Sequence, residues 1–383
     1  MVVMSNPHLP ELARAREGLY LDLLQQLVEL ESPSHDKAAC DRLAAHLAGL
    51  LQGDGWTTVE RLSREEAGDL IVGRIEGADA DDATLILTHY DTVWPLGTLH
   101  AMPFSRDGDR ITGPGVLDMK GGIVAALLAV RLASNEGELR GPVTLLATSD
   151  EETGSVHSRP TIEEEARHHA RVLVVEPGRD DGAIKVGRKG VADIRAHVHG
   201  VSAHAGLDPA AGASALRELA HLLFFAEELG DEVSGTTVNL TVASGGSAGN
   251  VIAEQAEARI DVRVGSLSEG ERVVDALRGY RPRDPRVQVG VTGGLNRPPL
   301  ESTPANTALL AEARARAAKL GLHFGEAIVG GGSDGNFTSA AGVATLDGLG
   351  PVGGGAHARH EHLRLAETLQ RVALLASLLQ SSA

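Results

Sequence analysis

Four short stretches constrain the fold of this chain: "DLIVGRI" (69–75), "TLILTHYD" (84–91), "VTLLATSDEE" (143–152) and "RVLVVEPG" (171–178). Each opens as a nearly unbroken apolar run, and the last three pass directly into histidine or acidic positions. A strand whose successive residues are all apolar has no face to give to water and must be covered on both sides. Between two of the runs lies "GGIVAALLAVRLASNEG" (121–137), a long apolar-rich helix, and the helical patterns "LDLLQQLVELES" and "KAACDRLAAHLAGLL" precede them all. This order predicts an α/β domain whose sheet is mixed but largely parallel and is flanked by helices.

After "VGRKG" the texture changes. "VADIRAHVHG", "TTVNLTVASGG" and "EQAEARIDVRVG" alternate polar and apolar residues, as half-exposed antiparallel strands do. Helical patterns at "GASALRELAHLLFFAEELG" and "SEGERVVDALRGY" separate them, and "RVQVGVT" supplies a last strand. The order β-α-β-β-α-β is that of a ferredoxin-like α+β unit, expected as an insert over residues 189–296. From Glu301 the helix "NTALLAEARARAAKLG" and the run "GVATLDGLG" restore the first pattern. The large domain is therefore expected to be discontinuous, over residues 1–188 and 297–383. At 383 residues two domains are the natural count.

Composition narrows the chemistry. A formal charge of -17 repels phosphate, so nucleic acid is not an expected partner. No uncharged stretch is long enough to span a bilayer, and "MVVMSNPHLPELARAREG" lacks the basic start and apolar core of a secretory leader, so a cytoplasmic location is expected. Cys40 is the only cysteine, which excludes an intrachain disulfide and a thiolate-rich zinc site. Any metal must then be held by imidazole and carboxylate.

Such residues recur where strands end: His89 and Asp91, Asp150 with Glu151 and Glu152, and Glu176, together with Asp118 in the glycine-rich "GPGVLDMKGG". Each alone reads as a solvated strand end or helix start. Together they are better explained by ligand binding at the carboxyl ends of the strands of an open sheet. Far downstream "GGGAHARHEH" adds His357, His360 and His362. Two zinc ions carry four positive charges, which three carboxylates and a hydroxide balance, with two neutral imidazoles completing the shells. Asp118, Glu152, Glu176, His89 and one of the late histidines form that set. Neighbouring Glu151 and Glu152 cannot both face one ion, so one ligates while the other handles protons. Asp91 fits as the acid that orients the His89 imidazole.

The motifs "THYDTVWPLGTL", "GPGVLDMKGG", "ATSDEETGS", "VVEPG", "GVSAHAG", "GGGSDGN" and "AHARHEH" resemble those of the aminoacylase and carboxypeptidase family of di-zinc metallopeptidases, nearest to its glutamate carboxypeptidase (carboxypeptidase G) type. The resemblance implies that His89 and Glu176 hold one zinc, that Glu152 and His357 hold the other, and that Asp118 bridges them. His357 is preferred because it precedes Glu361 in an "H-x-x-x-E" spacing. A cis peptide after Asp118 is also implied. Glu151 is the implied general base, with Asp91 and His204 as further catalytic groups, His204 polarising the scissile carbonyl and often reaching across from a second subunit. Asn250, Arg263 and Arg297 match substrate contacts, Arg297 that to a free carboxylate, while Gly331, Gly332 and Ser333 border the substrate through their backbone. His197 and His199 are assigned no role.

The activity so implied is hydrolysis of an amide next to a free carboxylate, by zinc-activated water with Glu151 as base, on a small peptide or N-acyl amino acid. Homodimerisation through the insert and closure between the domains are implied as well. An aminoacylase or desuccinylase is the alternative, and a catalytically silent binding protein of the same fold a more distant one. Cobalt or manganese suits the same donor set.

Overall fold

The computed structural model describes residues 8–381 of the protein. These form two compact units: the described residues up to Gly187 with Ser302–Ile328 and those from Ser333 onward, and Arg188–Glu301 with Val329–Gly332.

The first unit is built on a six-stranded sheet in the order Thr58–Leu62, Leu70–Ile75, Val143–Thr148, Thr84–His89, Arg171–Val174, Ala344–Leu346. The last four run parallel to one another and the first two antiparallel to their neighbours, so the sheet is mixed and largely parallel. Its side chains divide by face. Ile71, Ile86, Leu145 and Leu173 enter the main core with the helices Glu17–Glu29, Lys37–Gly53, Gly121–Glu136 and Leu365–Leu379, whereas Val72, Leu85, Leu87, Leu146, Val172 and Val174 pack on Ile162, Ala166 and Phe337. Cover on both faces is why the inner strands have unbroken apolar centres. Cys40 lies buried in the helix Lys37–Gly53, where burial pushes its thiol up to about 12. It is packing material and supplies no thiolate at neutral pH.

The helix Gly121–Glu136 starts hard against the sheet. A Cβ at Gly122 would stand 2.0 Å from the carbonyl oxygen of Val175, so only glycine permits this approach. The loop that carries Asp118 is thereby held beside the strand end that leads into Glu176.

In the second unit the strands Gly190–His199, Thr237–Gly245, Gln255–Val264 and Gln288–Arg297 alternate with the helices Ala215–Glu227 and Leu267–Arg278 as β-α-β-β-α-β. The spatial order is second, third, first, fourth, all antiparallel, which is the ferredoxin-like arrangement. Ala192, Ile194, Ala196 and Val198 alternate with exposed or half-exposed residues and pack with Ile260 and Val262 against Leu219, Leu222, Val273 and Leu277. Segment 329–332 joins through hydrogen bonds from Lys189 N to Val329 O (3.0 Å) and from Arg188 Nη1 to Gly332 O (3.1 Å). Among the described residues no helix is long and apolar enough to cross a membrane.

Candidate metal centre and active site

Three parallel strands place the candidate ligating groups. Thr84–His89 sits at the middle, and the chain adds Val143–Thr148 on one side of it before returning to add Arg171–Val174 on the other. Connections that leave a central strand in opposite directions open a crevice at its carboxyl end, where ligands bind in sheets of this kind. Register brings the side chains level: His89 pairs with Thr148, and Leu87 pairs with Val174, so two residues further on Glu176 lies alongside His89. Asp118 arrives from the loop ahead of Gly121–Glu136, and the Asp118–Met119 peptide is cis.

Two groups of potential ligands result, His89 with Asp118 and Glu176, and Asp118 with Glu152 and His357. His89 Nε2 lies 3.3 Å from Asp118 Oδ1 and 3.3 Å from Glu176 Oε1. His357 Nε2 lies 3.3 Å from Asp118 Oδ2 and 3.1 Å from Glu152 Oε1. Asp118 thus turns one oxygen to each group. Ligand atoms bound about 2.1 Å from one tetrahedral ion stand roughly 3.4 Å apart, close to these separations.

The donor chemistry agrees with a cation. His89 is 1% exposed, and its Nδ1 donates to the carbonyl oxygen of Asp91 (3.1 Å). That bond leaves Nε2 as the lone-pair nitrogen, and Nε2 is buried without a hydrogen bond. Burial alone would keep His89 neutral, yet Asp118, Asp91 and Glu176 push it well above its usual value. Asp118 and Glu152 likewise push His357 up to about 10. Burial, aided by the charge of Asp118, raises the Glu152 carboxyl. Three carboxylates in a largely dry pocket favour positive charge at this point. His357 occupies a left-handed backbone conformation (φ 60°), uncommon for a residue with a side chain and concentrated at functional sites. His360 is exposed, and the His362 ring bonds to the His360 carbonyl, so neither joins a group.

Asp91 is fully buried and does more than face His89. Its carboxylate lies 3.3 Å from His89 Nδ1, accepts the Ser34 hydroxyl (2.7 Å), and receives the backbone N–H groups of Glu151 (3.3 Å) and Glu152 (3.2 Å). One acid therefore ties the His89 strand end to the turn carrying Glu151 and Glu152. Glu151 is half-buried and belongs to neither ligand group.

The second unit gathers its residues separately. His204 is exposed, and its Nδ1 accepts from the N–H groups of Gly206 (3.1 Å) and Leu207 (3.0 Å), so the neutral ring carries its proton on Nε2. Asn250 joins the same loop pair, since its carbonyl accepts from Ala205 N (2.9 Å). Arg263 is paired with Asp261 (2.9 Å) and reaches Gly330 O (3.5 Å). Arg297 is 5% exposed, and Gly332 packs so closely on it that a Cβ would meet its Cδ at 2.9 Å. Gly331 and Gly332 accept from Arg188 through their carbonyls. Ser333 falls in the first unit, buried, with its hydroxyl donated to Asp347 (2.5 Å).

Comparison with known proteins decides the family. Residues 85–381 match peptidase family M20/M25/M40. The chain belongs to that family. It is 30% identical over 363 residues to carboxypeptidase G2 of Pseudomonas sp. (strain RS-16), covering 93% of this chain and 87% of the relative. It is 32% identical over 310 residues to a succinyl-diaminopimelate desuccinylase of Gluconacetobacter diazotrophicus, covering 76% and 77%. The fold is shared with the aminopeptidase PepT of Bacillus cereus (TM-score 0.81, 20% identity, 95% and 98% covered) and with the M20 metallo-carboxypeptidase Sso-CP2 of Sulfolobus solfataricus (0.71, 17%, 94% and 98%). The protein is thus an M20 metallopeptidase, a metal-dependent hydrolase.

One further buried acid bears on the centre, Glu361, which the sequence marks only by its spacing from His357. Glu361, fully buried, accepts four N–H groups, those of Trp94 Nε1 (2.8 Å), Gly115 (3.1 Å), Leu117 (2.9 Å) and Asp118 (3.2 Å). Burial pushes its carboxyl up, and these donors oppose the shift. The only sequence signal was its place four residues after His357.

Proposed function

We propose that this M20 hydrolase cleaves an amide bond next to a free carboxylate, in the manner of a glutamate carboxypeptidase. The observation that carries the reading is Asp118, whose two oxygens serve two imidazole-carboxylate groups. His89 and Glu176 would hold one zinc ion and Glu152 and His357 the other, with Asp118 common to both; cobalt or manganese fits the same donors. When bound, such ions supply Lewis-acid polarisation of a carbonyl and water of lowered pKa.

The chain's own groups do the rest. Glu151 takes the proton of the attacking water and returns it to the leaving amine. Asp91 fixes the turn that presents Glu151. His204, with its proton on Nε2, donates to the carbonyl oxygen as negative charge develops there. Arg297 recognises the substrate carboxylate, Asn250 and Arg263 add polar contacts, and the backbone of Gly331, Gly332 and Ser333 borders the substrate. Similarity to carboxypeptidase G2 over 93% of the chain supports the carboxypeptidase reading.

A second reading, an N-acyl-amino-acid deacylase of aminoacylase or desuccinylase type, is favoured by the 32% identity to the desuccinylase. Assaying a folyl-glutamate, acetylated and succinylated amino acids and dipeptides side by side separates the two. The folyl-glutamate should be the best substrate. Arg297→Ala should lower kcat/KM for it roughly 10–100-fold, as expected for loss of a charge-assisted hydrogen bond, and leave a carboxyl-amidated analogue nearly unchanged. Preference for a succinylated substrate selects the second reading, and a metal-loaded protein inert on the whole panel selects a silent binding protein.

A homodimer through the second unit is part of the proposal. Thr237–Gly245 is an outer strand of its sheet, and Leu240, Val242 and the nearby Phe224 are 46%, 54% and 67% exposed. An apolar sheet edge of this kind invites pairing, and a two-fold copy would cover it. Light scattering should give twice the chain mass; a monomer at micromolar concentration refutes the dimer. The free, buried Cys40 suits the reducing cytoplasm.

A further inference from the structure

We propose that Glu361 is a positioning residue that holds the His357 ligand group in register with Asp118, by fastening three loops to one buried carboxylate. The inference rests on the reading of Asp118 and His357 as metal ligands.

Each loop brings part of the centre. Trp94 lies three residues beyond Asp91, on the loop that leaves the His89 strand. Gly115, Leu117 and Asp118 form the loop that delivers the shared carboxylate. Glu361 closes the turn that begins with His357, through its own N–H to the carbonyl of Ala358 (2.8 Å). Its Oε1 receives Leu117 N and Asp118 N, and its Oε2 receives Trp94 Nε1 and Gly115 N. Four donors on two oxygens require an acceptor-only group, the ionised carboxylate. Glutamine keeps the volume but turns an amino group toward two of those donors, which are then buried and unsatisfied.

The two ligand groups depend on this clamp unequally. His89 ends a central strand, Glu176 follows another, and both are buried, so the sheet holds them. His357 is half exposed, in a left-handed conformation, and its turn is tied to the Asp118 loop through Glu361. Loss of the clamp should therefore loosen the His357 group most, while the other, which shares only Asp118 with it, keeps its two strand-borne ligands.

The test is calorimetric titration of metal-free protein with cobalt(II), with the visible absorption of the bound ion followed in parallel. Wild type should show two binding events. Glu361→Gln should weaken one of them ten- to a hundredfold, as loss of a group that orients ligands does, and leave the other within twofold. His357→Ala should weaken the same event, and the double variant should show no further loss beyond His357→Ala, because both changes act through one ligand. Trp94→Phe removes one donor at the rim of the network and should weaken that event severalfold. If Glu361→Gln does not fold, Trp94→Phe decides alone: no change in either event overturns the proposal. Two unchanged events in Glu361→Gln, or equal weakening of both, also overturn it while leaving the ligand reading intact. A wild type that binds no cobalt(II) overturns the ligand reading and this inference with it.

Discussion

Glu151→Gln should lower kcat by about 10²–10⁴-fold while metal content, Tm and KM stay near wild type. The replacement keeps shape and volume and removes only the ability to accept and return a proton. Glu151 stands outside both ligand groups, so no donor to a metal is lost. Its position is set by its backbone N–H on Asp91, which the substitution does not touch. Glu152→Gln is the instructive contrast. Its Oε1 lies 3.1 Å from His357 Nε2, and removing that charge should deplete bound metal as well as activity. Two adjacent glutamates thus separate into a metal-retaining and a metal-losing variant, read by elemental analysis beside steady-state kinetics. Unchanged turnover in Glu151→Gln refutes its role as base, and loss of metal in that variant makes it a ligand instead.

Much of the scaffold was legible because burial leaves a direct trace in residue type. Strands covered on both faces, such as Thr84–His89, keep an unbroken apolar centre in Leu85, Ile86 and Leu87, and strands covered on one face, such as Gly190–His199, alternate. Strand direction leaves no such trace. Leu70–Ile75 is as apolar as its neighbours yet runs antiparallel to Val143–Thr148, and the partly exposed outer strand "TVERL" (Thr58–Leu62) carries charges that hide it. The candidate ligand positions were legible only together, since His89, Glu152 and Glu176 each look like a polar strand end until three parallel strands are seen to finish at one crevice. Contacts to backbone are the hardest to read. The N–H groups on Glu361 belong to Gly115, Leu117 and Asp118, and any residue types there would offer the same donors. Segment 329–332 joins the second unit through carbonyl oxygens for the same reason.

Asp118→Asn should abolish the binding of both metal ions, where His357→Ala should weaken only one. Asp118 alone belongs to both groups, and its two oxygens point to different imidazoles. Burial would raise its carboxyl, but the His357 and His89 imidazoles outweigh burial and hold it well below the usual carboxylate range. The amide cannot replace that charge, and it offers only one oxygen to two partners. Activity should fall by at least about a thousandfold, to the level of wild type treated with a chelator. A readout independent of turnover follows from linkage: each ion present at 100 times its Kd stabilises wild type by about 2.7 kcal/mol, and chelation should remove both increments. In Asp118→Asn neither metal nor chelator should move Tm. Metal-free Asp118→Asn should be less stable than metal-free wild type, because the lost charge is one that the His357 and His89 imidazoles stabilise in the folded state. A variant that retains two ions, or a chelator that leaves wild-type Tm unchanged, would show that Asp118 is not the shared ligand.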